Sequence, residues 1–277
     1  MLKLMYITNQ PEIAKIAETA GVDRIFIDME YIGKSDRQGG MNTVQCHHTI
    51  SDILAMKKTV AHSKILVRCN PIHMATNEYS DSKDEIDAIV ASGGDIIMLP
   101  YFKTEEEVQK FVQFVGGRAK TLLLVETPQA VECFDKIVEI KGIDEIFIGL
   151  NDLSLGYGLK FMFELLTNGV VESLCEKCKK KGIPYGFGGI ASPGKGLLAM
   201  EKIIAEHYRL GSTCAILSRS FCDANFVTDL QELRCIFEQG LNAVRAREQE
   251  CVDGQVDLIK NQEEVRCCVK KIIENIG

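Results

Sequence analysis

The sequence predicts an α/β protein, a (β/α)₈ TIM barrel with an additional C-terminal helical extension. Three observations carry that prediction. Eight short apolar runs recur along the 277 residues. Segments of helical periodicity separate them, and most close on glycine, as helix C-caps do. No GxGxxG follows the first run, which weighs against an open dinucleotide-binding sheet. Near-continuous apolar strands joined by helices imply a parallel sheet covered on both sides, and eight such units suit a closed barrel.

The units read in order. KLMYIT leads into PEIAKIAETAG, RIFIDM into TISDILAMKKTVA, KILVRC into KDEIDAIVASG, and DIIMLP into TEEEVQKFVQFVG. TLLLVE leads into AVECFDKIVEIKG, EIFIGL into FELLTNGVVESLCEKCKKKG, and IPYGFG into GKGLLAMEKIIAEHYRLG. TCAILS, the eighth run, precedes a helical stretch from Phe226 onward. One helix completes the barrel, and residues 245–277 read as the extension. Its apolar side (Val252, Val256, Leu258, Ile259, Val265, Val269, Ile272, Ile273, Ile276) suits a subunit contact or packing on the chain's own barrel. No Pro-, Gly- or Ser-rich linker divides residues 1–277, so one domain is expected.

Net charge is −7 with acids and bases interspersed and no basic stripe, which argues against a nucleic-acid partner. Lys179–Lys181 caps the end of a polar helix. No apolar stretch reaches membrane-spanning length, so no membrane association is expected. Met1 runs straight into LKLMYITN without a long apolar segment, so no secretion signal is expected. Eleven scattered cysteines then read as reduced thiols in the cytoplasm. Cys175-Glu-Lys-Cys178 is a CxxC without a partnering CxxC, a weak sign of metal or redox chemistry. Cys267 and Cys268 carry no reading.

In such a barrel, residues ending the strands face the active site. Two carboxylates end consecutive strands, Glu126 in LLLVE and Asp152 in IFIGLND. Carboxylates so placed pack poorly but hold a hard metal ion well. The same rim collects Asp28, Glu30, Arg68, Pro100, Asn151, Gly188, Gly189, Ser192, Ser218 and Arg219. A single strand-end acid often only caps the next helix, whereas several acids and an arginine together are hard to explain by packing.

GVDRIFIDME, ILVRCNP, GGDIIMLPYFKTEEEV, LLLVETPQAV and GIDEIFIGLNDLSLGYG resemble the HpcH/HpaI aldolase and citrate lyase family, metal-dependent class II pyruvate aldolases and related lyases. The resemblance covers roughly Leu2 to Phe221, and the ETxxAV and IGxxDLSxxxG segments carry most of it. It implies a divalent ion, Mg²⁺ or Mn²⁺ with Co²⁺ possible, on Glu126 and Asp152. It implies that Arg68 donates to the keto oxygen of a pyruvate-type 2-oxo acid and to its developing enolate. Backbone amides of the IGxxD turn, Gly149 with Asn151 and Asp152, would hold the carboxylate. A homo-oligomer follows by the same resemblance, often a hexamer with exchanged C-terminal helices. A divalent ion and a guanidinium aimed at an enolate oxygen stabilise the charge that retro-aldol cleavage leaves there. The contrary reading makes Arg68 and Glu126 a buried ion pair that only holds the barrel together.

The chain departs from the family pattern at the base. Many members carry D-x-E-H at strand two, and here the histidine position is Tyr31. The acid that supports that histidine in some members aligns with Ala91. An insertion, YIGKSDRQGGMNTVQCHHT, is longer than in the plain aldolases and ends in His47 and His48. Slotting it in before the histidine returns His48 to the family position. The loop, with Lys34, Asp36 and Arg37, suits recognition of a polar or phosphorylated substrate, or is simply solvated. GFGGIASPGKG is a second oddity, a phosphate cradle or a tight turn.

The leading expectation is therefore an aldolase that cleaves a 2-oxo acid to pyruvate and an aldehyde. Proton transfer would fall to His48, or to a metal-bound water positioned by Asp28 and Glu30. A CoA-thioester lyase of the citrate lyase or malyl-CoA type ranks lower, because no extra basic adenine-nucleotide surface stands out. A non-catalytic 2-oxo-acid binder is favoured by Tyr31 and Ala91 and disfavoured by Glu126, Asp152 and Arg68 together.

Overall fold

The eight apolar runs form eight parallel strands that hydrogen-bond in chain order, and the last returns to the first to close the barrel. In this computed structural model the described residues are 1–34, 47–224 and 226–276. Asp36 and Arg37 lie outside them. The strands are β1 (Lys3–Ile7), β2 (Arg24–Asp28), β3 (Lys64–Arg68), β4 (Ile96–Leu99), β5 (Lys120–Val125), β6 (Glu145–Ile148), β7 (Tyr185–Ile190) and β8 (Cys214–Leu217). The predicted (β/α)₈ barrel is thus observed.

Alternation along each strand sorts side chains between two cores. Met5, Phe26, Leu66, Ile96, Met98, Leu122, Leu124 and Phe147 fill the barrel interior. Their neighbours Ile25, Ile27, Ile65, Val67, Ile97, Leu123 and Ile146 pack outward against the helices. The barrel floor carries a buried ion pair, Arg24 Nη2 to Glu145 Oε2 at 2.7 Å. At Gly186 a Cβ would come within 2.2 Å of the Cys214 carbonyl oxygen, so only glycine lets β7 close on β8 there.

The covering helices are α1 (Pro11–Ala20), α2 (Ile50–Thr59), α3 (Ser82–Ala91), α4 (Glu105–Val115), α5 (Pro128–Glu132), α6 (Phe134–Ile137), α7 (Leu150–Gly156), α8 (Val170–Lys181), α9 (Met200–Leu210), α10 (Leu230–Val252) and α11 (Leu258–Ile276). Local chemistry sets their ends. Proline opens α1 and left-handed Gly21 closes it. Thr104 and Glu107 form a capping box on α4, and Asp229 caps α10 through the Gln231 and Glu232 amides.

Four boundaries differ from the sequence reading. AVECFDKIVEIKG was expected as one helix, but Cys133 leaves helical geometry and its carbonyl starts a fresh turn, separating α5 from α6. DLSLG, assigned to no helix in the sequence reading, lies in α7. GFGGI, the start of the segment read as a phosphate cradle or a tight turn, is strand: β7 runs to Ile190, with a register shift against β8 between Gly186 and Gly189. The expected extension boundary near Arg245 falls inside α10, and the chain breaks instead between Val252 and Leu258. Helix α11 packs on α9: Val265 and Val269 are buried, and Asn261 donates to Lys202 O and Glu206 Oε1. Val252, Ile259 and Ile276 of the apolar stripe stay exposed.

Candidate active site

The period-2 alternation that fills the barrel continues past its top layer and aims polar groups into the mouth. Phe26 is followed two residues on by Asp28, Leu66 by Arg68, Leu124 by Glu126 and Phe147 by Gly149. Asp28, Arg68, Glu126 and Gly149, with Asp152, Lys34 and His48, line a cavity of about 630 Å³, a size that suits a small metabolite. Asn151, His47, Gly188, Gly189, Ser218 and Arg219 line it too. Ser192 serves a different purpose: its hydroxyl donates to Phe221 O and ties the β7 and β8 loops together.

Asp28 organises one wall. Arg68 grips its carboxylate in a bidentate fork, Nε to Oδ1 at 2.8 Å and Nη2 to Oδ2 at 2.7 Å. Lys34 adds a bond to Oδ2 at 2.9 Å. Glu30, 1% exposed, faces both cations, 3.3 Å from Arg68 Nη1 and 3.5 Å from Lys34 Nζ. Two acids and two bases thus form one buried network. Burial alone would raise the Asp28 carboxyl, but Arg68 and then Lys34 outweigh it and hold it well below the usual carboxylate range. Burial would likewise discharge Arg68, and Asp28 and Glu30 overcome that and keep it charged. Arg68 is thus ion-paired with Asp28 and Glu30, whereas the sequence reading pairs it with Glu126. Glu126 adds to its field.

His48 hangs on the same aspartate through the backbone. The Asp28 N–H donates to His48 Nδ1 at 3.0 Å. Burial lowers the imidazole pKa, and Asp28 and Asp52 only partly counter it. Tyr31, at the family's histidine position, packs its ring on Tyr79 with centroids 5.2 Å apart. Its amide and that of Ile32 donate to Asn70 Oδ1, and Asn70 in turn donates to buried Glu85. The turn after β2 is therefore pinned to β3 and α3. This network and the burial of Lys34 are not legible in the sequence. Only the Glu30/Lys34 spacing hinted at the latter.

Glu126 is 5% exposed, and its Oε1 accepts the Tyr101 N–H at 3.0 Å. Tyr101 adopts φ 49°, left-handed backbone, where the chain leaves β4. A Cβ at Gly149 would sit 2.9 Å from Glu126 Cβ and 3.0 Å from its Oε2, so glycine in the IGxxD turn makes room for the carboxylate. Asp152 stands in the first turn of α7, where its Oδ1 accepts from Asn151 Nδ2 at 2.9 Å. At the start of α7 the Leu153 amide donates to Gly149 O. Glu126 and Asp152 offer hard oxygen donors to one cavity, and that donor chemistry fits a Mg²⁺-like ion completed by water or substrate. Among the described residues no group of three or more His, Cys, Asp or Glu is clustered to hold a metal. Burial pushes Cys178 up to about 12 and Cys175 higher still, the behaviour of packed thiols in α8 rather than of ligands.

The HpcH/HpaI aldolase/citrate lyase family model matches residues 3–191. The chain belongs to this family. Its fold and cavity are therefore those of a lyase-type enzyme family. Similar solved structures include an HpcH/HpaI aldolase from Desulfitobacterium hafniense DCB-2, with 15% identity over 78% of this chain and 86% of that one, at a TM-score of 0.58. An HpcH/HpaI aldolase/citrate lyase family protein from Burkholderia cenocepacia J2315 shares 15% identity over 84% of this chain and 94% of its own, at 0.61. The citrate synthase SbnG shares 15% over 83% and 91%, at 0.60. At that identity the likeness is one of fold. No curated protein sequence matches the chain. Among the described residues no helix is long and apolar enough to cross a membrane.

Proposed function

We propose that the protein is a divalent-metal-dependent carbon–carbon lyase that cleaves or forms a 2-oxo acid through a pyruvate enolate. The observation that carries this reading is the convergence of Glu126, Asp152 and Arg68 on one cavity within the matched family segment. A bound Mg²⁺, Mn²⁺ or Co²⁺ would supply positive charge for the keto and carboxylate oxygens. Glu126 and Asp152 would hold it. The first-turn amides at Asn151 and Asp152 would orient the substrate carboxylate. Arg68, fixed by Asp28 and Glu30, keeps hydrogens on Nη1 and Nη2 for the keto oxygen, where enolate charge develops. Asp28, held ionised, would keep Arg68 and Lys34 in place at the mouth. The exposed Val252, Ile259 and Ile276 would serve as contacts in a homo-oligomer.

Titration with Mn²⁺, followed by electron paramagnetic resonance, tests the reading. One ion per chain is expected, tightened by pyruvate and lost in Glu126→Ala. Mn²⁺ binding indifferent to both pyruvate and the substitution would contradict it.

A further inference from the structure

We infer that His48 serves as a fixed neutral hydrogen-bond donor through Nε2, aimed at the aldehyde oxygen of the substrate, and not as the base. The inference rests on the lyase reading for its substrate and on the backbone geometry for its chemistry. A ring nitrogen that accepts a backbone N–H carries a lone pair. With the Asp28 N–H 3.0 Å from Nδ1, the neutral ring must carry its proton on Nε2. Adding a second proton would set two hydrogens against each other at Nδ1. Burial opposes the imidazolium further, and Asp28 and Asp52 only partly offset it. A ring in this state has no lone pair to offer the cavity, only the Nε2–H.

An aldol substrate has two oxygens that change charge, the keto oxygen and the hydroxyl oxygen. Arg68 suits the first. Arg68 and His48 are both fastened to Asp28, one by its carboxylate and one by its amide, and both line the cavity. His48, fastened to the same aspartate as Arg68, is placed to serve the second oxygen. In cleavage the hydroxyl proton passes to water and that oxygen becomes the aldehyde carbonyl. The carbon–carbon electron pair moves to the keto oxygen as enolate, and the enolate carbon takes a proton from water. His48 keeps its proton throughout and stabilises alkoxide character as a neutral electrophile.

Nitrogen-15 NMR of labelled histidine reads the tautomer in the resting protein, whatever the substrate. A neutral Nε2–H ring at pH 7 is expected, and an Nδ1–H ring or an imidazolium would overturn the inference. Kinetics test the role. Loss of the donor in His48→Ala should slow aldol cleavage about 100-fold, the scale of a lost oxyanion donor. His48→Gln places an amide N–H near Nε2 and should recover cleavage to within about tenfold of wild type. In His48→Ala the loss in cleavage should exceed the loss in pyruvate proton exchange by at least about tenfold. Equal losses in Ala and Gln, spread equally over exchange and cleavage, would make His48 the base and overturn the donor role. Wild-type protein that binds metal yet neither exchanges nor cleaves would instead refute the lyase reading, leaving the tautomer to be decided by NMR.

Discussion

At the scale of single residues, the site depends on small groups that leave room as much as on charged groups that fill it. Gly149→Ala would drive a methyl to within 3.0 Å of the Glu126 carboxylate. We expect Mn²⁺ affinity to fall about tenfold or more while the fold stays intact, since supporting-shell changes act on that scale. Unchanged affinity by calorimetry would remove Glu126 from the metal account. The strand-end acids and Arg68 were legible because each follows an apolar run whose alternation fixes its facing. Lys34, Asn70 and Glu85 were not, because their roles arise from contacts between separate loops. His48 was legible as a candidate by its place in the insertion, but its tautomer was not. That depends on which backbone amide meets the ring.

At the scale of elements, helix α9 carries a second buried histidine with a different consequence. His207 stacks on Phe187 with centroids 4.0 Å apart, and its Nδ1 lies 2.7 Å from Ser212 Oγ. Among the described residues its Nε2 has no hydrogen-bond partner. Burial drives its pKa down from 6.5 to about 3. The folded state therefore keeps it neutral while the unfolded chain protonates below about pH 6.5. Stability from this residue is complete above that pH and is lost progressively as pH falls toward 3. Between pH 7.5 and 5 the loss should be about 2 kcal/mol by proton linkage. Urea denaturation at the two pH values should show that loss in wild type and a clearly smaller one in His207→Phe. An equal acid loss in the variant would assign the effect elsewhere. Element types were read well where periodicity ran long, as in α1, α4 and α9. They were read poorly in α5, α6 and α7, where each helix is too short to show a period and a local cap or carbonyl decides the geometry.

At the scale of the whole molecule, the closed barrel brings onto one mouth residues that lie far apart in the chain. Eight apolar runs with helices between them were enough to predict that closure, since parallel strands admit few arrangements that bury both faces. The position of α11 was not legible in the same way, because its apolar stripe fits its own barrel or a partner equally well. The structure seats Val265 and Val269 of that stripe on α9. The chemistry assigned to the mouth is tested most directly by exchange of pyruvate methyl protons for deuterium, followed by NMR with Mg²⁺, Mn²⁺ or Co²⁺. Metal-dependent exchange that disappears in Glu126→Ala is the predicted result. Absence of exchange with the ion demonstrably bound, or exchange that survives the substitution, would contradict the pyruvate-enolate account.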